Sequence, residues 1–484
     1  MQKNSPSESS LLISKTAAAS GQPPEKKRPL SIAEALGVPP LPVLPDPDRP
    51  VAAWYDSGRK EYLLQNSGGR WLSHAEGSFK RLLRSHGYTP VLSKEERDAG
   101  ETISELEREL LRIQDCQDVH YCGPLAGREA GFYEENGIRL LVTESPRLPE
   151  PRPGPCVLIP AILRSLVAGK GETCGDEQYP RLLGWLAAAV ESLYTRFRRP
   201  GQALVLAGPA GAGKSVVQNK IITPLLGGRS AKCAPYLQGR TNFNGELFGA
   251  EHLMLEDESS DICIKSRLAL ASHIKQICVN EVQPCHSKNR PIVNLAPFWR
   301  LTLSLNDEPE RLLIIPPLTA DVEDKLLIFR CMPVQWPQPA GIPLDWESLM
   351  AAVEEELPAF LHFLLAHKVP PALHSARYGV RSWHHPDLLQ AIDDLSPEAH
   401  LAQLILRWID GPAWRGTSDR LRTELLNFDD TQRDARDLLR WPNACGTYLA
   451  RLAKNPRPPL AVQPQRSGTE RAWVVSVAGD GLGV

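Results

Sequence analysis

Apolar positions are spread unevenly along this chain, and their period changes from one stretch to the next. The first 50 residues carry almost no periodic pattern, are rich in Ser and Pro, and read as a disordered arm. From Val51, the stretches VAAWYD, EYLLQN and GGRWLS lie between Gly and Asn turns, which predicts short strands, followed by a helical stretch near 76–86. An amphipathic helix over 102–113 and a strand over 138–143 complete an α+β domain spanning 51–155, closed by proline-rich 146–155. Leu182, Leu183, Trp185, Leu186, Val190 and Leu193 fall near helical spacing and predict a long helix over 178–197. The five apolar residues that follow a turn at Gly201, Ala203 to Ala207, have the length and content of a buried parallel strand.

Further on, the apolar run from His252 ends in Glu256, Asp257 and Glu258, and the run from Phe298 ends in Asn306 and Asp307. Between them, the polar, basic tip 285–291 is flanked by apolar stretches 274–282 and 292–295, a layout that fits a hairpin carrying Lys288 and Arg290. These parts make a domain over 156–340. A helical connector over 341–410 contains helices at 346–367 and 397–409. In 411–484, Gly416-Thr417-Ser418-Asp419 caps a helix that runs through Leu426. A second helix over 443–454 and strands at 460–463 and 471–477 follow, a winged-helix-like order. Its second major helix would present Arg451 and Lys454 to DNA, with Arg466 and Arg471 at the wing.

Composition narrows the class. A chain of 484 residues with 42% apolar content holds several domains and sizeable cores; with the strand and helix patterns above, the expected fold class is multidomain α/β. No apolar run reaches membrane-spanning length and no signal-peptide core opens the chain, which points to the cytoplasm. Ten scattered cysteines read as reduced thiols. Cys116, His120 and Cys122 fall one ligand short of a tetrahedral zinc site and are read as core packing. His384 and His385 have no partner cluster in the sequence and are read as structural or surface residues. With 55 basic and 57 acidic residues, any attraction to nucleic acid must come from a local basic surface.

The candidate chemistry centres on Gly208 to Ser215, G-P-A-G-A-G-K-S, directly after the apolar run ending at Ala207. Gly208, Gly211 and Gly213 let the backbone turn several N–H groups onto one phosphate chain, and the following helix adds its positive end. Pro209, Ala210, Ala212 and Val216 complete that loop. Lys214 reaches the β- and γ-phosphates and Ser215 takes a place on Mg²⁺, so ATP with Mg²⁺ is the expected cofactor pair. An apolar strand ending in acids supplies the second half: Asp257 as the metal-side carboxylate and Glu258 as the base, or Glu256 and Asp257 with the roles shifted by one. Asn306 is the candidate sensor that orients the attacking water.

Phosphate loop, acidic strand end, basic hairpin and strand ending in Asn, within about a hundred residues, resemble superfamily 3 helicases of the AAA+ class. The phrases FNGELFGAEHLMLEDE, PFWRLTLSLNDEPE and DVEDKLLIFRC are similar to the phage, prophage and plasmid primase-helicase branch, over roughly 51–332. The resemblance implies Lys214 and Ser215 at phosphate and Mg²⁺, Asp257 and Glu258 at the acidic motif, Lys288 on a DNA-contacting hairpin and Asn306 as sensor. It also implies a homo-oligomeric ring, usually a hexamer, completed by an arginine from the neighbour. Arg330 is the first choice, with Lys325 and Arg311 as rivals, because the usual arginine pair is replaced by Asp324-Lys325 and then Arg330. No cluster of paired carboxylates with a nearby His precedes the loop, so no primase domain is expected. The expected activity is an ATP-dependent DNA helicase or translocase in replication of a phage, prophage or plasmid-like element. Its partners would be single-stranded DNA, origin duplex and replication proteins, with no membrane. The alternative is a nucleotide-switched oligomeric ATPase, in defence or assembly, that binds DNA without unwinding it.

Overall fold

The computed structural model describes residues 51–135, 137–256, 264–316, 318–338, 345–454, 460–467 and 470–477. The chain divides into two units, Met1–Val51 with Gly77–Arg108, and Ala52–Glu76 with Glu109–Val484. In the first, Phe79 and Leu83 are buried on the helix Glu76–Ser85. Helix Lys94–Asp98 starts at a capping box in which Ser93 Oγ accepts from Glu96 N and Glu96 accepts from Ser93 N. The helix expected over 102–113 occupies Glu105–Cys116. Its start is set by Ser104 and Glu107, which satisfy each other's backbone N–H groups in the same reciprocal way.

In the second unit, strands β1 (Ala53–Asp56), β2 (Glu61–Gln65) and β3 (Trp71–Ala75) form an antiparallel meander, with β4 (Asp118–Val119) parallel to β1. Strands β5 (Tyr121–Gly123), β6 (Gly131–Glu135) and β7 (Ile138–Val142) make a separate sheet in the order β5-β7-β6. Helices α1 (Leu158–Ala168) and α2 (Gly175–Tyr194) follow.

A six-stranded, wholly parallel sheet comes next, built from β8 (Ala203–Ala207), β9 (Ser230–Lys232), β10 (His252–Glu256), β13 (Arg300–Leu305), β14 (Leu326–Arg330) and β17 (Trp383–His384). The hairpin β11 (Gln283–Cys285) and β12 (Val293–Leu295), and the short pair β15 (His374–Ser375) and β16 (Gly379–Val380), lie outside it. The spatial order is β17-β14-β8-β13-β10-β9. This mixed α/β arrangement is consistent with a phosphate-loop core.

Burial explains the unbroken apolar run of β8. Leu204 and Leu206 enter one core cluster with α1, α2 and the helix α5 (Trp346–Ala366). Ala203, Val205 and Ala207 enter another with Leu270, Ile274 and Ile277 of α4 (Ile264–Val279). A strand covered on both faces has no polar positions to spare. The same accounting corrects the hairpin: residues 274–279 of the apolar stretch before its tip are the end of α4, and only Gln283–Cys285 pairs across. The helix after the phosphate loop, α3 (Lys214–Val217), passes into a π turn at Gln218–Ile222 and ends at Thr223–Leu225.

Near the C-terminus, helices Pro397–Trp408, Ser418–Asn427, Gln432–Leu438 and Ala444–Leu452 share a core with a three-stranded antiparallel sheet. Its strands are β18 (Ala413–Thr417), β19 (Leu460–Ser467) and β20 (Glu470–Val477), in the order β18-β20-β19. Thr417 caps its helix as expected, accepting from Arg420 N at 3.2 Å. Strand β18 and helix Gln432–Leu438 were not expected: AWRGT has no apolar alternation, and QRDARDL buries only Ala435. Among the described residues, no helix is long and apolar enough to cross a membrane.

Candidate functional site

Parallel register brings the chemistry to one edge of the sheet. Arg330 pairs with Ala207, Ala207 with Leu305, and Ser304 with Glu256, so β14, β8, β13 and β10 all end together. Carboxyl ends of parallel strands are where open α/β sheets bind ligands. Asn306 extends from β13 beside the start of the phosphate loop, where Gly208 N donates to Leu305 O at 3.2 Å. Asp257 and Glu258 lie outside the described residues. Glu256 closes β10 and is paired with Lys232 at 2.8 Å.

The loop has the backbone a phosphate cradle requires. Gly211 has φ +74° and Gly213 φ +98°, both in the left-handed region. A Cβ on Gly208 would meet Cys331 O at 2.2 Å, and one on Gly213 would meet Val334 Cγ2 at 3.0 Å. The segment after β14 therefore forms a wall behind the loop, tied to it by Cys331 N to Ala207 O (2.6 Å) and Val334 N to Ala212 O (3.0 Å). Lys214 is buried and its Nζ donates to Gly208 O and Pro209 O at 2.5 and 2.8 Å. Ser215 is exposed at the helix start. This donor set fits a triphosphate, with Ser215 available to a magnesium ion.

Beneath the loop lies a buried ring of hydrogen bonds that sequence reading missed. Gln218 Nε2 reaches Thr302 Oγ1 at 2.6 Å; Thr302 Oγ1 reaches His252 Nε2 at 2.8 Å; His252 Nδ1 reaches Thr223 Oγ1 at 2.7 Å. Thr223 Oγ1 donates to Gln218 O at 2.9 Å, closing the circle. Counting protons orders it: Thr223 has given its only proton away, so His252 carries its proton on Nδ1 and accepts from Thr302 at Nε2. Burial pushes the His252 pKa down to about 3, which keeps the ring neutral. Thr302 sits inside an apolar strand and His252 opens one; a polar residue in each of two neighbouring buried strands was the signal available.

Arg330 forms an ion pair with Asp387 at 2.8 Å, and its backbone is held from below by Gln178. The buried Gln178 amide accepts from Arg330 N at 2.6 Å and donates to Arg330 O and Val167 O at 3.1 and 2.7 Å. Lys325 is buried and paired with Asp324 at 2.6 Å, whereas Arg311 lies on the short helix Pro309–Leu312.

The basic hairpin tip borders a cavity of about 650 Å³ lined by Arg59, Lys232, Lys288 and Arg290, with Tyr236 and Phe243 among its walls. Lys288 is exposed, and Phe243 is 47% exposed with its ring 4.9 Å from that of His286. In the C-terminal region Arg451 lies against Tyr448 and pairs with Glu398 at 3.5 Å, while Lys454 is exposed. Arg466 and Arg471 face each other in register across β19 and β20; their side chains lie outside the described residues.

Cys122 is buried, as core packing requires, but Cys116 is exposed. His385 departs from expectation. It is buried and its Nε2 lies 3.0 Å from Glu172 Oε1, a partner 213 positions away in sequence that no local pattern could reveal. His384 Nε2 contacts Glu323 O at 3.1 Å.

No family model matches this chain, and no curated protein matches it in sequence. Solved structures similar to it include the apo C-terminal region of NrS-1, at 13% identity over 88% of this chain and 96% of that one, with a TM-score of 0.48. Others are the SCCmec type IV Cch helicase, at 10% identity over 84% and 69% with a TM-score of 0.28, and JCV helicase, at 17% over 48% and 64% with a TM-score of 0.24. Superpositions this loose leave the functional reading to the residues themselves.

Proposed function

We propose that this chain hydrolyses ATP and uses the cycle to move along and separate DNA, as a ring-forming helicase of the superfamily 3 type acting for a mobile element. What carries the reading is the grouping of the phosphate loop, Asn306 and the acidic end of β10 on adjacent strand ends. In this reading the loop amides and Lys214 hold the phosphates, and Ser215 and Asp257 hold Mg²⁺, which when bound neutralises the β- and γ-oxygens. Glu258 takes the proton of the attacking water, Asn306 orients that water, and Arg330 serves the neighbouring subunit's site in a hexamer. The cavity beside the hairpin supports the DNA side, because cations flanked by aromatic rings suit phosphates and stacked bases. The helices and antiparallel sheet at the C-terminus support a winged-helix role in holding duplex.

The test is the ATPase rate with and without single-stranded DNA for the intact protein, Lys214→Ala and Lys288→Ala. Loss of hydrolysis in the first variant and loss of DNA stimulation alone in the second sustain the motor. Hydrolysis indifferent to DNA would leave the nucleotide-switched oligomer in its place.

A further inference from the structure

Away from the phosphate loop, the turn between α1 and α2 meets the edge of the parallel sheet. Glu172 and Cys174 lie on that turn, and His385 directly follows β17, its backbone N donating to Ile328 O at 2.9 Å. The potential ligand atoms of the three all lie within 4.8 Å of one another. The side chains of Glu172 and His385 are 0% and 1% exposed. Glu172 Oε1 takes Cys174 N at 2.8 Å and His385 Nε2 at 3.0 Å, while Oε2 is buried with no hydrogen-bond partner. A carboxylate oxygen without a partner in a low-dielectric setting is costly, and an ion pair with His385 leaves it unsatisfied.

We infer that Glu172, Cys174 and His385 form a binding site for a borderline divalent cation of the zinc class. One carboxylate, one thiolate and one imidazole are the donors such an ion takes, and three protein ligands leave a fourth position for water. Charge also balances: a 2+ ion with one carboxylate, one thiolate and a neutral imidazole is neutral overall, which suits burial. On binding, the Cys174 thiol releases its proton to solvent. The His385 proton moves from Nε2, which takes the metal, to Nδ1, and the 3.2 Å contact from Asp387 N to Nδ1 gives way. The ligand atoms, within 4.8 Å of one another, take up the roughly 3.3–3.8 Å separations that zinc bond lengths set, and the 3.0 Å approach of Glu172 Oε1 to His385 Nε2 opens slightly. Cys174 is partly exposed and provides the way in. The bound ion would pin the turn to the sheet edge two residues from Asp387, the partner of Arg330.

The site does not depend on what the ATPase does, and it is tested without activity. The full chain, stripped by a chelator and dialysed, is titrated with Zn²⁺ and separately with Co²⁺. One zinc per chain is expected, together with a thiolate-to-cobalt charge-transfer band. Cys174→Ser, at a partly exposed position, should keep the fold but lose the band and weaken zinc binding by at least the roughly 10–100-fold that loss of an outer-shell partner costs. Glu172→Gln should weaken it while retaining the band. Cobalt in the magnesium site meets no thiolate and gives no such band. Failure to retain zinc, or a band unchanged in Cys174→Ser, overturns the site; a loss of stability in the variants without metal binding would leave only a buried Glu172–His385 pair.

Discussion

His252 and Thr302 are 2.8 Å apart, both without solvent exposure, on neighbouring parallel strands that end at the candidate nucleotide site. Their contact is one bond of the closed ring that joins the helix after Gly208–Ser215 to strands β10 and β13. Thr302→Val keeps the shape but strands His252 Nε2 and Gln218 Nε2, at about 1–3 kcal/mol for each unsatisfied group. Denaturant unfolding should show a lower midpoint with an unchanged slope.

The same histidine gives a pH signature. Unfolded, it titrates near its ordinary value of about 6.5; folded, near about 3. Between those values the unfolded state binds more protons, so the folded state loses stability as pH falls below about 6.5, by at most about 1.4 kcal/mol per unit, and His252 adds no slope above it. Unfolding free energies from pH 4 to 8 should show this slope, and it should be absent in His252→Gln.

Gly208→Ala and Gly213→Ala test the wall behind the loop. The first drives a methyl into Cys331 O, and the second forces a side chain onto φ +98° against Val334. Both should abolish nucleotide-induced thermal stabilisation and lower the melting temperature without ligand. A variant that still binds nucleotide normally would show that the loop can withdraw from the wall.

If Arg330 completes a neighbouring subunit's site, Arg330→Ala should lower kcat by about a thousandfold, leaving nucleotide affinity intact. Asp387→Asn, which removes only the partner of the guanidinium, should preserve hydrolysis. A change confined to KM would sink the role.

For the hairpin cavity, Lys288→Ala should reduce the slope of log affinity against log salt for single-stranded DNA by about 0.7, one phosphate's share. Phe243→Ala should weaken binding by about 1–3 kcal/mol with that slope unchanged, as expected of a stacking ring. Salt titrations by fluorescence anisotropy separate the two effects.

Much of this architecture was legible in the order of residues because strong local signals coincide. The run Ala203–Ala207 is apolar throughout, and the loop glycines need φ values that other residues avoid. Strand ends at Glu256 and Leu305 were marked by a change from apolar to polar residues. What escaped notice depends on distance. Gln178 and Arg330 are 152 positions apart, and Glu172 and His385 213, so neither pair has a spacing that periodicity can detect. The end of α4 reads as strand in the sequence because six apolar-rich residues look the same in either state when one face is buried.

The wall behind the phosphate loop also has an outer side. Trp336, packed against Gly213, meets Trp346 edge-on at 5.0 Å, at the first turn of α5. A backbone carbonyl stands where a side chain on Gly208 would go, and an indole stands where one on Gly213 would go. The backing of the loop is therefore continuous with a 21-residue helix, so the volume left to the loop is set in part by a segment more than a hundred residues further along the chain.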